Sequence, residues 1–402
     1  MHDRYLDNIV WELTLRCNAR CLHCGSAAGQ DRRDNLTNEE LLRVCDELAE
    51  AGCKKVTLIG GETFLHPAWR EIVSKLNKND IKVSIVTNGF LLNEEKIKFL
   101  AETGIETIGI SLDAPTAELH DKIRNVPGMF NRIFELGQYL KKYKIPTVAI
   151  TTVTSMNVLH LNAFAPMLKD SFFDGWQLQI GSPYGRMNED ISLNDLEYYV
   201  TGMLLACYQR RIPIQELDIV GMHDFGYYSD VIPNSVNLYE KNWHGCPAGI
   251  YVMGIRSNGK VLGCLSIYND EYIDGDLRKN SVKEIWERQD FCVWNRRSNR
   301  IKNLTGACKD CPYATACCAG CSSICDSYTK TMNENPMCYY AIENKYKNTV
   351  NTDEYSTVLR DLTNSKITED GKILFADNNY LDNKYISNIS DERIKSLLSQ
   401  LI

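Results

Sequence analysis

The sequence predicts an α/β fold: a partial (β/α)6 TIM-like barrel followed by a small, cysteine-rich α+β domain. Three observations predict it. Between residues 9 and about 210, short β-branched runs alternate with helical patterns, as parallel strands joined by crossover helices require. No GxGxxG follows any of these runs, which argues against a dinucleotide-binding sheet. Most of the 16 cysteines fall in two groups instead of scattering through a core.

The expected strands are residues 9–15 (IVWELTL), 55–59 (KVTLI), 81–87 (IKVSIVT), 106–112 (ETIGISL), 146–153 (PTVAITTV) and 175–180 (GWQLQI). Six strands suit an open barrel better than a closed eightfold one, and they place any site at their C-terminal ends. The helix after the first strand is the best specified. Thr37 and Glu40 form a capping box, Leu36 can staple onto Leu41, and Leu41, Val44, Cys45 and Leu48 make its core stripe. Residues 1–215 thus read as barrel, 216–245 as an irregular bridge, 246–340 as the cysteine-rich domain and 341–402 as a polar tail. The tail ends in an amphipathic helix capped at Ser390, with Ile394, Leu397, Leu398 and Leu401 on the face expected to dock on the body.

A chain of 402 residues with 45 basic and 52 acidic side chains, net charge -7, and no long basic run is not expected to bind nucleic acid. The N-terminus lacks a secretory pattern and nowhere do eighteen apolar residues run together, so no membrane partner is expected and a cytoplasmic location is. In a reducing compartment, grouped cysteines point to metal centres and not to disulfides. Cys45, Cys53, Cys207 and Cys292 are left as packing residues.

The first group, RCNARCLHCGSAAG, sets Cys17, Cys21 and Cys24 on the loop leaving the first strand. Spacing alone leaves open a zinc site completed by a distant histidine. Placement at the substrate-binding end of a barrel favours a catalytic centre. Three thiolates on a four-iron cube leave one iron open to a ligand having an amine and a carboxylate.

In these residues the chain resembles the radical S-adenosylmethionine (radical SAM) enzymes. The resemblance implies a 4Fe-4S cluster on Cys17, Cys21 and Cys24, with S-adenosyl-L-methionine on the open iron, cleaved to a 5′-deoxyadenosyl radical. For His23, at a position usually aromatic, it implies contact with adenine. For Gly60-Gly61-Glu62 it implies binding of the methionine amino group, and for Ser111, Asp113 and Arg124 binding of the ribose and the methionine carboxylate. Leu178 would offer its backbone to adenine. Thr87-Asn88-Gly89 is either a pocket wall or a plain turn.

The second group runs Cys246, Gly259, Cys264, then Cys308, Cys311, Cys317 and Cys321 spaced C-x2-C-x5-C-x3-C, and Cys338. It resembles the SPASM domain of radical enzymes that modify peptides and proteins. The resemblance implies two auxiliary iron-sulfur clusters, one on Cys308, Cys311, Cys317 and Cys338, the other on Cys246, Cys264 and Cys321. The latter set is completed by Cys318 or Cys325, or keeps an open iron. A zinc ribbon is the plainer alternative.

The expected function is that of a maturase acting on a ribosomally made peptide or protein by crosslinking, thioether formation, epimerisation or oxidation. The alternative is a small-molecule enzyme of haem or cofactor biosynthesis, in which Arg296, Arg297 and Arg300 meet carboxylates; otherwise they are solvated surface charges. A non-enzymatic cluster scaffold is a third class. The enzyme readings call for an electron donor such as flavodoxin or ferredoxin. Because the first strand begins within about ten residues of the start, leader binding is expected from the tail or a separate protein, unless the substrate has no leader. For an epimerase, Cys207, Cys292, Cys318 and Cys325 are the candidate hydrogen-atom donors.

Overall fold

The computed structural model describes residues 4–225, 227–233, 245–350 and 353–402. The barrel half runs β1 (Asn8–Glu12), α1 (Asn38–Glu50), β2 (Lys55–Ile59), α2 (Trp69–Lys78), β3 (Lys82–Thr87), α3 (Glu94–Thr103), β4 (Thr107–Ser111), α4 (Ala117–Arg124) and α5 (Met129–Tyr143). It continues through β5 (Thr147–Val153), α6 (Phe164–Lys169), β6 (Gly175–Ile180), α7 (Asp195–Arg211) and β7 (Asp218–Gly221). Beyond residue 245 come β8 (Val252–Ile255), β9 (Lys260–Leu262), β10 (Gly275–Asp276), α8 (Val282–Glu287), α9 (Arg297–Asn303), α10 (Gly306–Lys309), α11 (Ala314–Cys317), α12 (Ser322–Thr329) and α13 (Tyr339–Tyr346). The tail holds α14 (Glu354–Thr363), β11 (Lys366–Ile367), β12 (Ile373–Leu374), α15 (Asn383–Ser387) and α16 (Glu392–Ser399).

The second and sixth expected strands form within the limits read from the sequence. The first is shorter. It stops at Glu12 because the next residues bond sideways: the Thr14 hydroxyl and the Leu15 N–H both donate to Asp31 Oδ1, at 2.9 and 3.1 Å. Helix α1 forms as read, with both halves of the Thr37–Glu40 capping box present and Leu41, Val44, Cys45 and Leu48 buried.

Two expectations of organisation change. Residues 216–245 are not wholly irregular, because Asp218–Gly221 pairs in parallel with β6 as a seventh barrel strand; residues 226 and 234–244 of that stretch lie outside the described residues. The cysteine-rich segment is also less separate than its composition implied. Its strand β8 pairs in parallel with the open edge of β1, and β9 and β10 follow antiparallel, giving one sheet in the order β10-β9-β8-β1-β2-β3-β4-β5-β6-β7.

The tail docks as expected, but its last helix is capped differently. Asp391, not Ser390, accepts from the Arg393 and Ile394 N–H groups, while Ser390 donates to Glu354 at the start of α14. Ile394, Leu397, Leu398 and Leu401 are buried. This packing explains α7, which is buried almost all round: the Glu197 carboxylate on α7 takes the Arg393 guanidinium of α16, and Arg211 at its end donates to the Leu401 carbonyl at 2.9 Å. Among the described residues, no helix is long and apolar enough to cross a membrane.

Candidate active site and cluster sites

The loop after β1 is closed on itself before it presents any thiol. Gly29 N–H donates to the Leu15 carbonyl at 2.7 Å and Cys17 N–H to the Gly29 carbonyl at 3.4 Å. Cys17, Cys21 and Cys24 then lie close enough that their charges act on one another. Burial first, and the neighbouring Cys21, Glu62 and Cys24 after it, push the Cys17 thiol up to about 11. Such thiolates need a cationic centre to persist.

The Gly60-Gly61-Glu62 turn is stitched to this loop. Gly61 N–H donates to the Thr14 carbonyl (2.7 Å) and Glu62 N–H to the Arg16 carbonyl (2.8 Å). The glycines are demanded by this approach, since a Cβ at Gly60 would lie 2.6 Å from the Thr14 oxygen and one at Gly61 2.2 Å from the Arg16 oxygen. Glu62 is buried and ties the ends of β2 and β3 together. Its Oε1 accepts from the Thr87 hydroxyl (2.7 Å) and Phe64 N–H (3.3 Å), and its Oε2 from Asn88 N–H (2.9 Å). Burial raises its carboxyl despite these donors. The Thr87-Asn88-Gly89 segment is therefore the partner of Glu62, and Gly89 makes its turn at φ +80.

Asp113, Arg124 and His23 meet in one buried group. Arg124 Nε lies 2.6 Å from Asp113 Oδ2, and His23 Nε2 lies 2.9 Å from the same oxygen. Asp113 Oδ1 accepts from Thr152 N–H at 3.0 Å. Burial alone would raise the Asp113 carboxyl, but Arg124 and His23 overcome it and hold it well below the usual range. Asp113 is thus tied to Arg124, His23 and Thr152. Ser111 stands half-buried at the end of β4. Leu178 is buried in mid-strand, and its carbonyl accepts from Met222 N–H at 2.9 Å. His23 Nδ1 is buried with no hydrogen-bond partner among the described residues.

Several site residues carried no signal in the sequence. Arg186, after β6, donates to the Cys21 and Ala28 carbonyls at 2.9 and 2.8 Å, and its N–H to the Cys24 carbonyl at 3.0 Å. The preceding Gly185, at φ +60, comes so close that a Cβ would sit 2.3 Å from the Gly25 oxygen. His120 accepts from Asp113 N–H at 3.1 Å.

The later cysteines divide into two sets. Cys308, Cys311, Cys317 and Cys338 line one cavity of about 420 Å³, walled by Tyr227, Tyr228, Tyr313 and Tyr340. Cys321 faces Cys246 and Cys264. The division is made by the chain between Cys317 and Cys321: Cys318, Ala319 and Gly320 all take left-handed backbone angles (φ 53, 62 and 65), which turns the two flanking sulfurs toward different sets. Of the surplus thiols, Cys318 donates to the Thr315 carbonyl (3.7 Å), while Cys325 donates to the Ala319 carbonyl (3.1 Å), accepts from Arg300 Nη2 (3.9 Å) and lies near enough to Cys308 and Cys246 for their charges to act on it. Arg300 is not a solvated surface charge; it is buried and donates to the Cys318 carbonyl at 2.7 and 3.0 Å. Cys45, Cys53 and Cys207 are buried in the core as expected, whereas buried Cys292 also donates to Asp274 at 3.4 Å beside Gly249 and Gly263. All sixteen cysteines are free thiols.

Among the described residues, no three His, Cys, Asp or Glu side chains gather tightly enough for a single metal ion. The donor chemistry fits iron-sulfur clusters, whose thiolates stand farther apart around a cage: three soft ligands at the barrel mouth, and four around a cavity with an aromatic wall.

Comparison with known proteins agrees with this geometry. Residues 11–163 match the family model of the radical SAM superfamily, and residues 246–312 match SPASM, an iron-sulfur cluster-binding domain. Residues 11–163 are a radical SAM domain. As a radical SAM enzyme the chain takes S-adenosylmethionine and a 4Fe-4S cluster, and its SPASM domain binds auxiliary iron-sulfur clusters. It is 29% identical to the AdoMet-dependent heme synthase of Methanosarcina barkeri, over 83% of this chain and 96% of that protein. It is 26% identical to the antilisterial bacteriocin subtilosin biosynthesis protein AlbA of Bacillus subtilis, over 81% of this chain and 68% of that protein. Its fold matches that of SuiB of Streptococcus suis bound to the precursor peptide SuiA, with TM-score 0.65 and 17% identity, covering 83% of this chain and 76% of SuiB.

Proposed function

We propose that this radical SAM enzyme is a maturase that abstracts hydrogen from a residue of a ribosomally made peptide or protein, in the cytoplasm. The observation that carries the reading is the arrangement of thiols: three at the barrel mouth, and two further sets in a module that shares the same sheet. When bound, S-adenosylmethionine and its cluster supply the 5′-deoxyadenosyl radical. Cys17, Cys21 and Cys24 hold that cluster. The peptide relatives AlbA and SuiB favour a peptide substrate.

The chain's own residues then have these roles. The unspent His23 Nδ1 is offered to the adenine edge. Glu62, with a lone pair of Oε2 left over, and the Gly60-Gly61 turn receive the methionine amino group. Ser111 stands at the ribose, and Arg124 orients the methionine carboxylate with whatever donors its Asp113 pair leaves. Cys308, Cys311, Cys317 and Cys338 hold one auxiliary cluster, and Cys246, Cys264 and Cys321 the other. A flavodoxin or ferredoxin supplies electrons, and a separate protein or the tail holds any leader.

A second reading, an enzyme of haem or cofactor synthesis, is favoured by the match to the heme synthase along almost all of that protein's length. Anaerobic reconstitution tests both. About twelve irons per chain are expected for three four-iron clusters, with 5′-deoxyadenosine formed on reduction. Changing Cys17, Cys21 and Cys24 together to alanine should remove about four irons and abolish cleavage; retained cleavage would overturn the assignment. A mass change in a co-encoded peptide supports the first reading. Turnover of an iron porphyrin carboxylate, with the peptide untouched, supports the second.

A further inference from the structure

We propose that the buried Asp113–Arg124 ion pair is a positioning element that sets the charge felt by the cluster on Cys17, Cys21 and Cys24. The inference rests on the radical SAM reading and adds to it a control on the cluster's reduction potential.

Three consecutive residues of the thiol loop are held from one place. Arg124 Nη1 donates to Cys21 Sγ at 3.7 Å. Leu22 N–H donates to the Ile123 carbonyl, at the end of α4, at 2.9 Å. His23 Nε2 meets Asp113 Oδ2 at 2.9 Å. Asp113 cannot swing away from this pair. Thr152 N–H holds its carboxylate, Asn157 Nδ2 donates to its carbonyl at 2.8 Å, and its own N–H is fixed on His120. Arg124 is 8% exposed and Asp113 fully buried, so water and salt do little to screen the charges.

A thiolate that accepts a hydrogen bond from a cation gives up electron density, and the cluster it holds accepts an added electron more readily. Asp113 opposes that pull, since its negative charge sits 2.6 Å from the guanidinium. The two residues therefore act with opposite signs on one cluster. Arg124 raises its potential and Asp113 limits the rise.

The test is a potentiometric titration of the reconstituted full chain, followed by electron paramagnetic resonance, without S-adenosylmethionine. The auxiliary clusters, whose thiols Arg124 does not touch, serve as the internal reference. Arg124→Gln is expected to lower the potential of the first cluster and Asp113→Asn to raise it, with the reference signals unmoved. Arg124→Lys, which keeps the charge but not the planar fork, should shift it downward by less than Arg124→Gln. If Arg124→Gln fails to retain its cluster, the Asp113→Asn and Arg124→Lys shifts decide the matter. No shift, or shifts of the same sign for Asp113→Asn and the Arg124 variants, would overturn the proposal. A pure carboxylate clamp would instead change S-adenosylmethionine affinity and leave these potentials alone. Wild-type protein without the first cluster's signal would defeat the radical SAM reading itself, a distinguishable failure.

Discussion

Replacing Gly61 with alanine would put a methyl carbon 2.2 Å from the Arg16 carbonyl oxygen and 2.6 Å from both the Arg16 carbonyl carbon and the Leu15 oxygen. All three atoms are backbone, so no side chain can rotate to relieve the contact. The turn must withdraw from the loop that carries Cys17, and with it go two hydrogen bonds, Gly61 N–H to Thr14 at 2.7 Å and Glu62 N–H to Arg16 at 2.8 Å. Overpacking of this kind costs about 1–3 kcal/mol and each lost bond about 0.5–1.5 kcal/mol, so a total of roughly 2–6 kcal/mol is expected. Gly52→Ala is the control. That glycine has φ +82 with nothing within 4 Å, so alanine there meets backbone strain alone, about 1–2 kcal/mol. Denaturant midpoints and iron counts of the two reconstituted variants separate the effects. Gly61→Ala should be the less stable and should lose iron from the first cluster, while Gly52→Ala keeps it. Full iron and a wild-type midpoint in Gly61→Ala would refute the reasoning.

Other outcomes follow from the same geometry. Burial, with Arg124 close by, pushes His120 down to about 4; an unfolded histidine titrates near about 6.5, so stability is complete above that pH and is lost as pH falls through the window between them, by about 2 kcal/mol at pH 5. His120→Asn should flatten that part of the pH dependence of the urea midpoint, and an unchanged slope would count against it. Cys338→Ala should cost about four of about twelve irons, whereas Cys325→Ser and Cys318→Ser should keep all; a loss in either serine variant would place that thiol on a cluster. Leu398→Ala opens a cavity under a fully buried side chain of α16 and should cost about 2–5 kcal/mol, with the tail becoming protease-sensitive before the barrel.

Much of the barrel was legible because its signals are local. Thr37 and Glu40 specify the start of α1 within four residues, and KVTLI and GWQLQI carry their strand character in their own composition. The cysteine spacing grouped Cys308, Cys311, Cys317 and Cys338 for a similar reason, and the fold sets these four around one cavity. What the sequence hid depends on long-range pairing. Asp218–Gly221 is short and polar at its start, and it becomes a strand only because β6 offers an edge. Ser390 resembles a cap until Glu354, 36 residues away, takes its hydroxyl. In the site, Asp113 was identified but its commitment to Arg124 and His23 was not, since a buried pair and a ligand contact read alike in one dimension. Arg186 and Gly185 had no motif at all; only the fold brings the loop after β6 across Cys21 and Cys24.

The place of β1 bears on how the chain is made. It is synthesised well before β8, yet it lies between β2 and β8 in the sheet, with Asn8 paired to Lys55 on one side and to Val252 on the other. Until Val252–Ile255 leaves the ribosome, the strand that leads into Cys17 has one bare edge, ready to pair with any other extended segment. The cradle for the first cluster is therefore complete only once Val252–Ile255 has been made and has paired with β1. Iron delivered earlier would meet three thiols on an unfinished sheet, so cluster insertion belongs to the later stages of the chain's folding.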